Sequence, residues 1–288
     1  MRSHLSVREL LNRAVLLLEG RVERPRLEAE ILLSFFLKKD RLWLFSHDDE
    51  TIRNCEDFLN LVKKRALNYP LEYITQKASF YSREFFVKEG VLIPRPETEL
   101  LVDESLKILK NISNAKVAEI GVGSGIVSVM LALLKDDLEI IATDISQKAL
   151  EVAYENAKRF EVADRIEFVK SSFLDNIEDD FDMIVSNPPY IANDFKLEEN
   201  VLREPKEALF GGEKGDEILK RIIDLSIDRG VRYLVCEMGY DQKNSIDEYL
   251  KSRGIKKRGF YKDLSGLDRG FWARVEVERL DDKTNKRL

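Results

Sequence analysis

The stretch Lys116-Val117-Ala118-Glu119-Ile120-Gly121-Val122-Gly123-Ser124-Gly125 decides the fold of this 288-residue chain. Its first five residues predict a buried strand, its glycines predict a tight turn, and the apolar run over 126–134 predicts a helix. A strand, a glycine-rich turn and a helix form the first half of a dinucleotide-type fold, in which the turn approaches a ligand at the helix N-terminus. Because a single glycine-rich loop is weak evidence, the rest of the chain has to support this interpretation.

Strands and helices alternate after the loop. Strands are predicted near 138–143, 165–169, 181–185, 231–237, 255–260 and 271–277, and helices over 147–159, 216–228 and 242–253. This alternation predicts an α/β fold: a mostly parallel seven-stranded sheet with helices on both faces, which binds ligands at the carboxyl ends of its strands. Asp144, Phe173 and Asn187 fall at such ends.

Asp144 is a candidate ligand for a ribose. It follows the second strand, about 20 residues beyond the glycine loop, where a carboxylate can accept both hydroxyls of a ribose. The alternative is that Asp144 is an ordinary helix cap. The loop lacks a third glycine at the place expected for a dinucleotide fingerprint, which favours a nucleoside ligand without a pyrophosphate.

The motif Asn187-Pro188-Pro189-Tyr190 ends the strand predicted over 181–185. Proline has no N–H, so the sheet cannot continue through this pair. The chain therefore leaves the strand with an amide side chain, two carbonyl groups and an aromatic ring, which together can hold the planar nitrogen of an amide or amidine. The alternative is a simple turn after a strand.

Residues 5 to about 75 have a helical pattern. Ser6 can cap a first helix that ends before Gly20, Pro25 opens a second, a third is predicted over 51–68, and Pro70 starts a last turn. Alternating residues over 78–93 then predict a β-hairpin, and a helix follows to about residue 110. The expected domains are a helical bundle over 1–76, a hairpin linker over 77–94, a ligand-binding domain over 95–278 and a charged tail over 279–288.

Composition excludes several classes of protein. The chain is 44% hydrophobic and 35% charged, without the depletion of apolar residues that marks disorder. No apolar run approaches the ~18 residues that span a bilayer, and no signal peptide is evident, so we expect a cytoplasmic protein without membrane association.

Cys55 and Cys236 are expected to be reduced core thiols. With only His4 and His47, neither a histidine-based metal site nor a Ser-His-Asp triad is expected. The net charge of −6 argues against a stable nucleic-acid partner.

Taken together, these motifs resemble the class I S-adenosylmethionine-dependent methyltransferases, and within them the release-factor glutamine methyltransferases, known as the HemK-like family. The resemblance covers nearly the whole chain. Beyond the helical domain and the hairpin, it rests on Ile93-Pro94-Arg95-Pro96-Glu97-Thr98-Glu99, on Gly121 to Gly125, on Asn187 to Ile191 and on Tyr261 to Gly266. The run that starts at Ile93 and the helical domain separate this family from its DNA-modifying relatives.

The resemblance implies methyl transfer from S-adenosylmethionine to N5 of the glutamine in the Gly-Gly-Gln loop of peptide chain release factors. The residues implied to line the methyl donor are Gly121, Val122, Gly123, Ser124, Gly125, Asp144, Phe173 and Asn187. Those implied to hold the glutamine are Asn187, Pro188, Pro189 and Tyr190, of which Asn187, Pro188 and Tyr190 are the expected catalytic residues. No metal is implied. The helical bundle is expected to dock the release factor, and the chain is expected to act as a monomer.

Three features depart from the family pattern. Val122 stands where threonine is usual, Glu119 stands where aspartate is usual, and residues 268–272 replace a shorter aliphatic run. The ligand role of Glu119 therefore stays open, as do the roles of Arg95 and Glu97.

Two alternative functions remain. A nucleic-acid amino methyltransferase would hold a flipped base in the same motif, although the acidic balance and the absence of an obvious target-recognition domain argue against it. A non-catalytic protein-binding module could have kept the fold and lost the chemistry. The intact Asn-Pro-Pro-Tyr motif and glycine loop argue against that module.

Overall fold

The structure is a computed structural model and describes residues 4–275. The charged tail predicted over 279–288 lies outside this range, as do the last two residues of the strand predicted over 271–277. The chain divides into two compact units. The first runs through Lys77 and includes Val87–Glu89 and Leu197–Arg203, and the second comprises Ala78–Phe86, Gly90–Lys196 and the described residues from Glu204 onward. The finer domain boundaries stay predictions.

The first unit is a small helical bundle. Ser6 and Glu9 form a capping box at the start of its first helix, and Pro25 opens the second, as predicted. The helices pack around a leucine-rich core. The elements of this unit are β1 (Leu5–Ser6), α1 (Val7–Leu18), α2 (Pro25–Leu37), α3 (Arg41–Ser46), β2 (Thr51–Ile52), α4 (Cys55–Ala66) and α5 (Leu71–Thr75).

The prediction of a helix over 51–68 was wrong at its start. Thr51 and Ile52 form β2, in which Ile52 pairs antiparallel with Leu5. Both residues are β-branched, which favours a strand. Asn54 then has a φ of 57°, a left-handed conformation through which a helix cannot run, so α4 begins at Cys55.

The hairpin is shorter than predicted. β3 (Lys77–Phe80) and β4 (Arg83–Phe86) are joined by Tyr81 and Ser82, whose φ values of 51° and 54° match a two-residue type I′ turn. The prediction extended the hairpin to residue 93, but residues 90–93 form no strand. Two consecutive residues in the left-handed region were not expected of tyrosine and serine, which is why the turn was missed.

The core of the second unit is a seven-stranded sheet, which confirms the predicted fold class. The strands are β5 (Lys116–Ile120), β6 (Glu139–Asp144), β7 (Ile166–Lys170), β8 (Met183–Ser186), β11 (Tyr233–Glu237), β12 (Arg258–Lys262) and β13 (Asp268–Arg274), and a separate small sheet contains β9 (Ile191–Ala192) and β10 (Phe210–Gly212). The order in the large sheet is β12-β13-β11-β8-β5-β6-β7, and β13 runs antiparallel to both of its neighbours while the remaining pairs are parallel.

Helices cover both faces of this sheet. The helices are α6 (Glu99–Leu109), α7 (Ile126–Leu134), α8 (Gln147–Arg159), α9 (Glu217–Asp228) and α10 (Lys243–Ser252). Val117 of β5 packs with residues of α6, α7 and α8, whereas its neighbour Ala118 packs with residues of α9 and α10. Strands buried on both faces read as continuous apolar runs, which is why the sequence predicted them well.

Two further predictions concern buried and apolar residues. Cys55 and Cys236 are both buried, as expected of core thiols. Across residues 4–275, no helix combines the length and apolar character needed to span a bilayer.

Candidate functional site

The carboxyl ends of the central strands meet at one edge of the sheet. Ile120 at the end of β5 lies opposite Thr143 of β6 and Ser186 of β8. The hydroxyl of Ser186 also donates a hydrogen bond to the carbonyl of Ile120 at 2.7 Å. Asp144, the last residue of β6, and Asn187, the first residue after β8, are therefore brought to the same edge, as the alternation predicted.

The glycine loop leaves open space on one side. A side chain added at Gly121 or Gly123 would meet nothing within 4 Å, whereas one added at Gly125 would lie 2.9 Å from Ala153 of α8. Gly125 thus permits close packing of the loop on α8, while the first two glycines leave room for a ligand. Val122 and Ser124 are both buried.

Asp144 is tied to the glycine loop. Its Oδ2 accepts a hydrogen bond from the N–H of Gly123 at 3.0 Å, and its Oδ1 accepts one from the N–H of Ser146 at 2.8 Å. Burial raises the pKa of the Asp144 carboxyl, and these N–H groups act in the opposite direction. Ser146, not Asp144, caps α8, because its side chain accepts from the N–H of Ala149. The helix-cap alternative for Asp144 is thus excluded.

Glu119 is buried and makes its hydrogen bonds inside the protein. Its Oε2 accepts hydrogen bonds from both the N–H and the hydroxyl of Ser128 in the first turn of α7. Burial raises the pKa of Glu119 to about 8, and the hydrogen bonds from Ser128 oppose that rise. The Glu119 carboxyl group therefore braces the helix that follows the glycine loop.

The amide of Asn187 is oriented by a threonine. Its Nδ2 donates a hydrogen bond to Thr98 Oγ1 at 3.1 Å, which places Oδ1 at the opposite end of the amide. Thr98 is buried and ends a short 3-10 helix, Pro96–Thr98, within the run that starts at Ile93. The sequence interpretation used that run as a family signature and missed Thr98 as a contact of the site.

Tyr190 is held from two sides. Its hydroxyl donates to Glu237 Oε1 at 2.9 Å, and its carbonyl accepts from Gln242 Nε2 at 2.8 Å. Burial raises the pKa of Tyr190 well above its ordinary value, and the negative charge of Glu237 adds to the rise. Phe173, which is predicted to contact the methyl donor, and Tyr190, which is predicted to contact the glutamine, pack against the same apolar cluster.

Glu237 was not singled out from the sequence. It ends β11, the strand beside β8, and only 2% of its surface is exposed. Burial raises its pKa to about 7, while the hydroxyls of Thr98 and Tyr190 lower it. The available signal was a carboxylate at the carboxyl end of a predicted central strand, the same signal that identified Asp144.

Two glycines, Gly211 and Gly215, lie against the backbone of the Asn187–Tyr190 motif. The short parallel pair of β9 and β10 brings residues 211–215 against the motif. A side chain at Gly211 would lie 2.5 Å from the carbonyl oxygen of Pro189, and one at Gly215 would lie 2.5 Å from that of Tyr190. The sequence interpretation treated this stretch as irregular, although three glycines within five residues signalled a close backbone approach.

Arg95 braces the chain before the site. It donates to the carbonyl of Ile93 at 2.7 Å and pairs with the buried Glu204, whose other carboxyl oxygen accepts from the N–H of Ile93 at 2.9 Å. Glu97 lies 3.7 Å from Arg269. Both residues that the sequence left open thus have partners within the protein.

Comparison with known proteins decides the family. The profile "PrmC N-terminal domain" matches residues 9–75, and the profile "Methyltransferase small domain" matches residues 97–214. The release factor glutamine methyltransferase of Buchnera aphidicola subsp. Baizongia pistaciae is 35% identical over 271 residues, which cover 92% of this chain and 98% of that protein. The chain belongs to the release factor glutamine methyltransferase family.

Other relatives agree with this assignment. The release factor glutamine methyltransferase of Dictyoglomus turgidum is 42% identical over 73% of this chain and 77% of its own. Among solved structures, the hMettl16 catalytic domain in complex with a MAT2A 3'UTR hairpin has a TM-score of 0.57 at 18% identity, covers 80% of this chain and 86% of its own, and shares the fold. The family predicted from the motifs is confirmed.

This release factor glutamine methyltransferase is an S-adenosylmethionine-dependent enzyme, and its site fits that cofactor. The open side of Gly121 and Gly123 leaves room for a nucleoside, and the largely buried Asp144 carboxylate stands beside that space. The residue contacts to the cofactor that the sequence predicted stay predictions.

Proposed function

We propose that this enzyme transfers a methyl group to N5 of the glutamine in the Gly-Gly-Gln motif of peptide chain release factors. Membership of the release factor glutamine methyltransferase family supports the substrate. The single observation that carries the chemistry is the orientation of Asn187, whose nitrogen end is bonded to Thr98 at the strand edge that holds the glycine loop and Asp144.

The methyl donor binds, in this proposal, along the ends of β5, β6 and β7. Backbone groups of 121–125 surround it, Asp144 accepts its ribose hydroxyls, and Phe173 lines the other side. When bound, S-adenosylmethionine supplies an electrophilic methyl group on a positively charged sulfur.

Asn187 and Pro188 fix the glutamine. An amide nitrogen is a poor nucleophile, because its lone pair is delocalised into the carbonyl group. If Asn187 Oδ1 and the Pro188 carbonyl each accept one N–H of the glutamine amide, the face of its nitrogen is directed toward the methyl group. Such alignment lowers a barrier by several kcal/mol, and fixed acceptors stabilise the positive charge that develops on nitrogen.

Tyr190 and Pro189 complete the clamp. The Tyr190 ring can stack on the flat amide of the glutamine and exclude water, and the bonds to Glu237 and Gln242 fix that ring. No strong general base is required, because the product nitrogen loses its proton after the methyl group has been transferred. The mechanism therefore asks Asn187, Pro188 and Tyr190 to orient the substrate.

The protein partner docks, in this proposal, on the helical bundle of the first unit. Leu16 of α1 and Leu42 and Phe45 of α3 are more than half exposed, which supports a role in contacting another protein. We further propose that the enzyme acts as a monomer in the cytoplasm, where release factors work.

The direct test is a transfer assay with labelled methyl donor. The enzyme is incubated in parallel with a release factor, with ribosomal RNA and with DNA. Label on the release factor, located by peptide mass spectrometry on the Gly-Gly-Gln glutamine, is the expected result. Label on either nucleic acid and none on the release factor would assign the clamp to a base nitrogen instead.

A further inference from the structure

A buried carboxylate with an unused oxygen lies behind the clamp. Glu237 is 2% exposed, and its Oε1 accepts the hydroxyl proton of Tyr190 at 2.9 Å. Its Oε2 has no hydrogen-bond partner of good geometry among residues 4–275. Burying an ionised carboxylate costs free energy unless hydrogen-bond donors or opposite charges compensate it, so an unpartnered carboxylate oxygen at this depth calls for an explanation.

Thr98 is the candidate link between this carboxylate and Asn187. Its hydroxyl oxygen accepts the amide N–H of Asn187 at 3.1 Å, while Glu237 Oε2 stays without a donor of good geometry in the described part of the chain. The Thr98 hydroxyl also acts to lower the pKa of Glu237. A hydroxyl has a single proton to donate. If that proton points at the carboxylate, Thr98 can only accept from Asn187, and the nitrogen end of the amide must face Thr98.

We propose that Glu237 is a positioning residue for methyl transfer: it accepts hydrogen bonds from the hydroxyls of Thr98 and Tyr190. Because the Thr98 oxygen is then left to accept from the nitrogen of the Asn187 amide, Asn187 presents its oxygen, not its nitrogen, to the substrate amide. This inference rests on the proposed function in one respect, namely that Asn187 Oδ1 accepts an N–H of the substrate. It adds that the direction of hydrogen bonding through Thr98 decides whether the clamp attracts or repels that N–H.

Charged and titratable neighbours surround Glu237. Arg269, which also donates to Asp263 at 2.7 Å, lowers the pKa of Glu237 through its positive charge, and Glu97 raises it. The buried Tyr261 donates its hydroxyl proton to the carbonyl of Cys236 at 3.0 Å, so it does not compete for the carboxylate. Tyr190 thus donates to one oxygen of Glu237, and Thr98 is the hydroxyl proposed for the other.

The inference is tested with four variants compared with the wild-type enzyme. Glu237→Gln keeps the shape but gives Thr98 an amide that can donate to it, and Thr98→Val removes the hydroxyl. Thr98→Ser restores the hydroxyl on a smaller side chain. Asp216→Asn is the matched control, since it removes a different carboxylate of the second unit that is 3% exposed.

We expect Glu237→Gln and Thr98→Val each to lower kcat at least tenfold, while the dissociation constant of the methyl donor changes less than twofold by calorimetry. The double variant should lose no more than the worse single variant, because both act through one link. Thr98→Ser should recover most of the loss, and Asp216→Asn should leave kcat unchanged. Full kcat in Glu237→Gln or Thr98→Val, or additive losses in the double variant, would overturn the inference.

A second readout does not depend on turnover. The side-chain amide protons of Asn187, observed by NMR with selective labelling, should shift in Glu237→Gln and Thr98→Val and stay in place in Asp216→Asn. Unchanged Asn187 signals in the first two variants would also overturn the inference. If the wild-type enzyme transfers no methyl group to a release factor, the proposed function fails, and the NMR experiment still decides the role of Glu237.

Discussion

The Oδ2 atom of Asp144 accepts a hydrogen bond from the N–H of Gly123 at 3.0 Å, so the end of β6 is tied to the glycine loop that follows β5. The same carboxylate holds the N–H of Ser146 through its other oxygen. Asp144 therefore shapes the loop as well as the space beside it. Its loss should weaken binding of the methyl donor more than it disturbs the positioning of the glutamine.

Replacing Asp144 with alanine should weaken binding of the methyl donor. Loss of charge-assisted hydrogen bonds costs about 3 kcal/mol, roughly a hundredfold in the dissociation constant. Isothermal titration with S-adenosylmethionine measures this directly. Asp136→Asn, a change at an exposed position after α7, is the control. Equal affinity in Asp144→Ala and the wild-type enzyme would remove Asp144 from the cofactor site.

Replacing Asn187 with alanine should slow methyl transfer and leave binding of the methyl donor nearly unchanged. Without the amide, the glutamine nitrogen loses an acceptor that orients it, and kcat/KM should fall at least a hundredfold, about 3 kcal/mol. The dissociation constant of the methyl donor should stay within a few-fold of the wild-type value. Asn187→Asp should not rescue, because a carboxylate cannot donate to Thr98. Rescue by aspartate would show that Nδ2 is not needed.

Replacing Gly211 with alanine should damage both stability and transfer. The added Cβ would lie 2.4 Å from the carbonyl oxygen of Gly215 and 2.5 Å from that of Pro189, so backbone has to move. Such overpacking costs about 1–3 kcal/mol and should displace the motif. Thermal unfolding and kcat are the measurements. Gly254→Ala, where the added atom meets nothing within 4 Å, should lower stability only through its φ of 79° and leave kcat intact.

The buried Glu119 makes stability depend on pH. Its pKa is raised from 4.5 to about 8, chiefly by burial, so the unfolded chain loses this proton at lower pH than the folded one. The free energy of unfolding should therefore fall as pH rises from about 4.5 to about 8 and change no further from this group above that range.

Glu119→Gln isolates this contribution, because its amide oxygen can still accept from Ser128. The variant should match the wild-type protein near pH 4.5 and exceed its free energy of unfolding at pH 8, by an amount on the order of a few kcal/mol. Urea unfolding at both pH values gives the difference. Glu207→Gln, at an exposed position, should show no such dependence. A variant that is less stable than wild type at pH 8 would contradict the account.

Local chemistry made much of this site predictable. Prolines must end the strand before Asn187, and glycines must form the turn after β5, whatever the rest of the chain does. Parallel strands then bring Asn187 and Asp144 to one edge, since their carboxyl ends point the same way. The fold class and the candidate clamp therefore followed from residues close together in sequence.

Partners distant in sequence could not be predicted in this way. The contact of Asn187 with Thr98 joins positions 89 residues apart, and that of Tyr190 with Glu237 joins positions 47 apart. Each depends on which strands become neighbours, and the order that places β11 beside β8 is a property of the whole sheet. The helix predicted from Thr51 failed for the same reason, because Ile52 pairs with the distant Leu5.

The central claim is that the motif around Asn187 methylates a glutamine side chain of a release factor. Its most direct test is peptide mass spectrometry of a release factor treated with S-adenosylmethionine and either the wild-type enzyme or Asn187→Ala. The account predicts one added methyl group on the Gly-Gly-Gln glutamine with the wild-type enzyme and none with the variant. An unmodified glutamine with the wild-type enzyme, or equal modification by the variant, would contradict it.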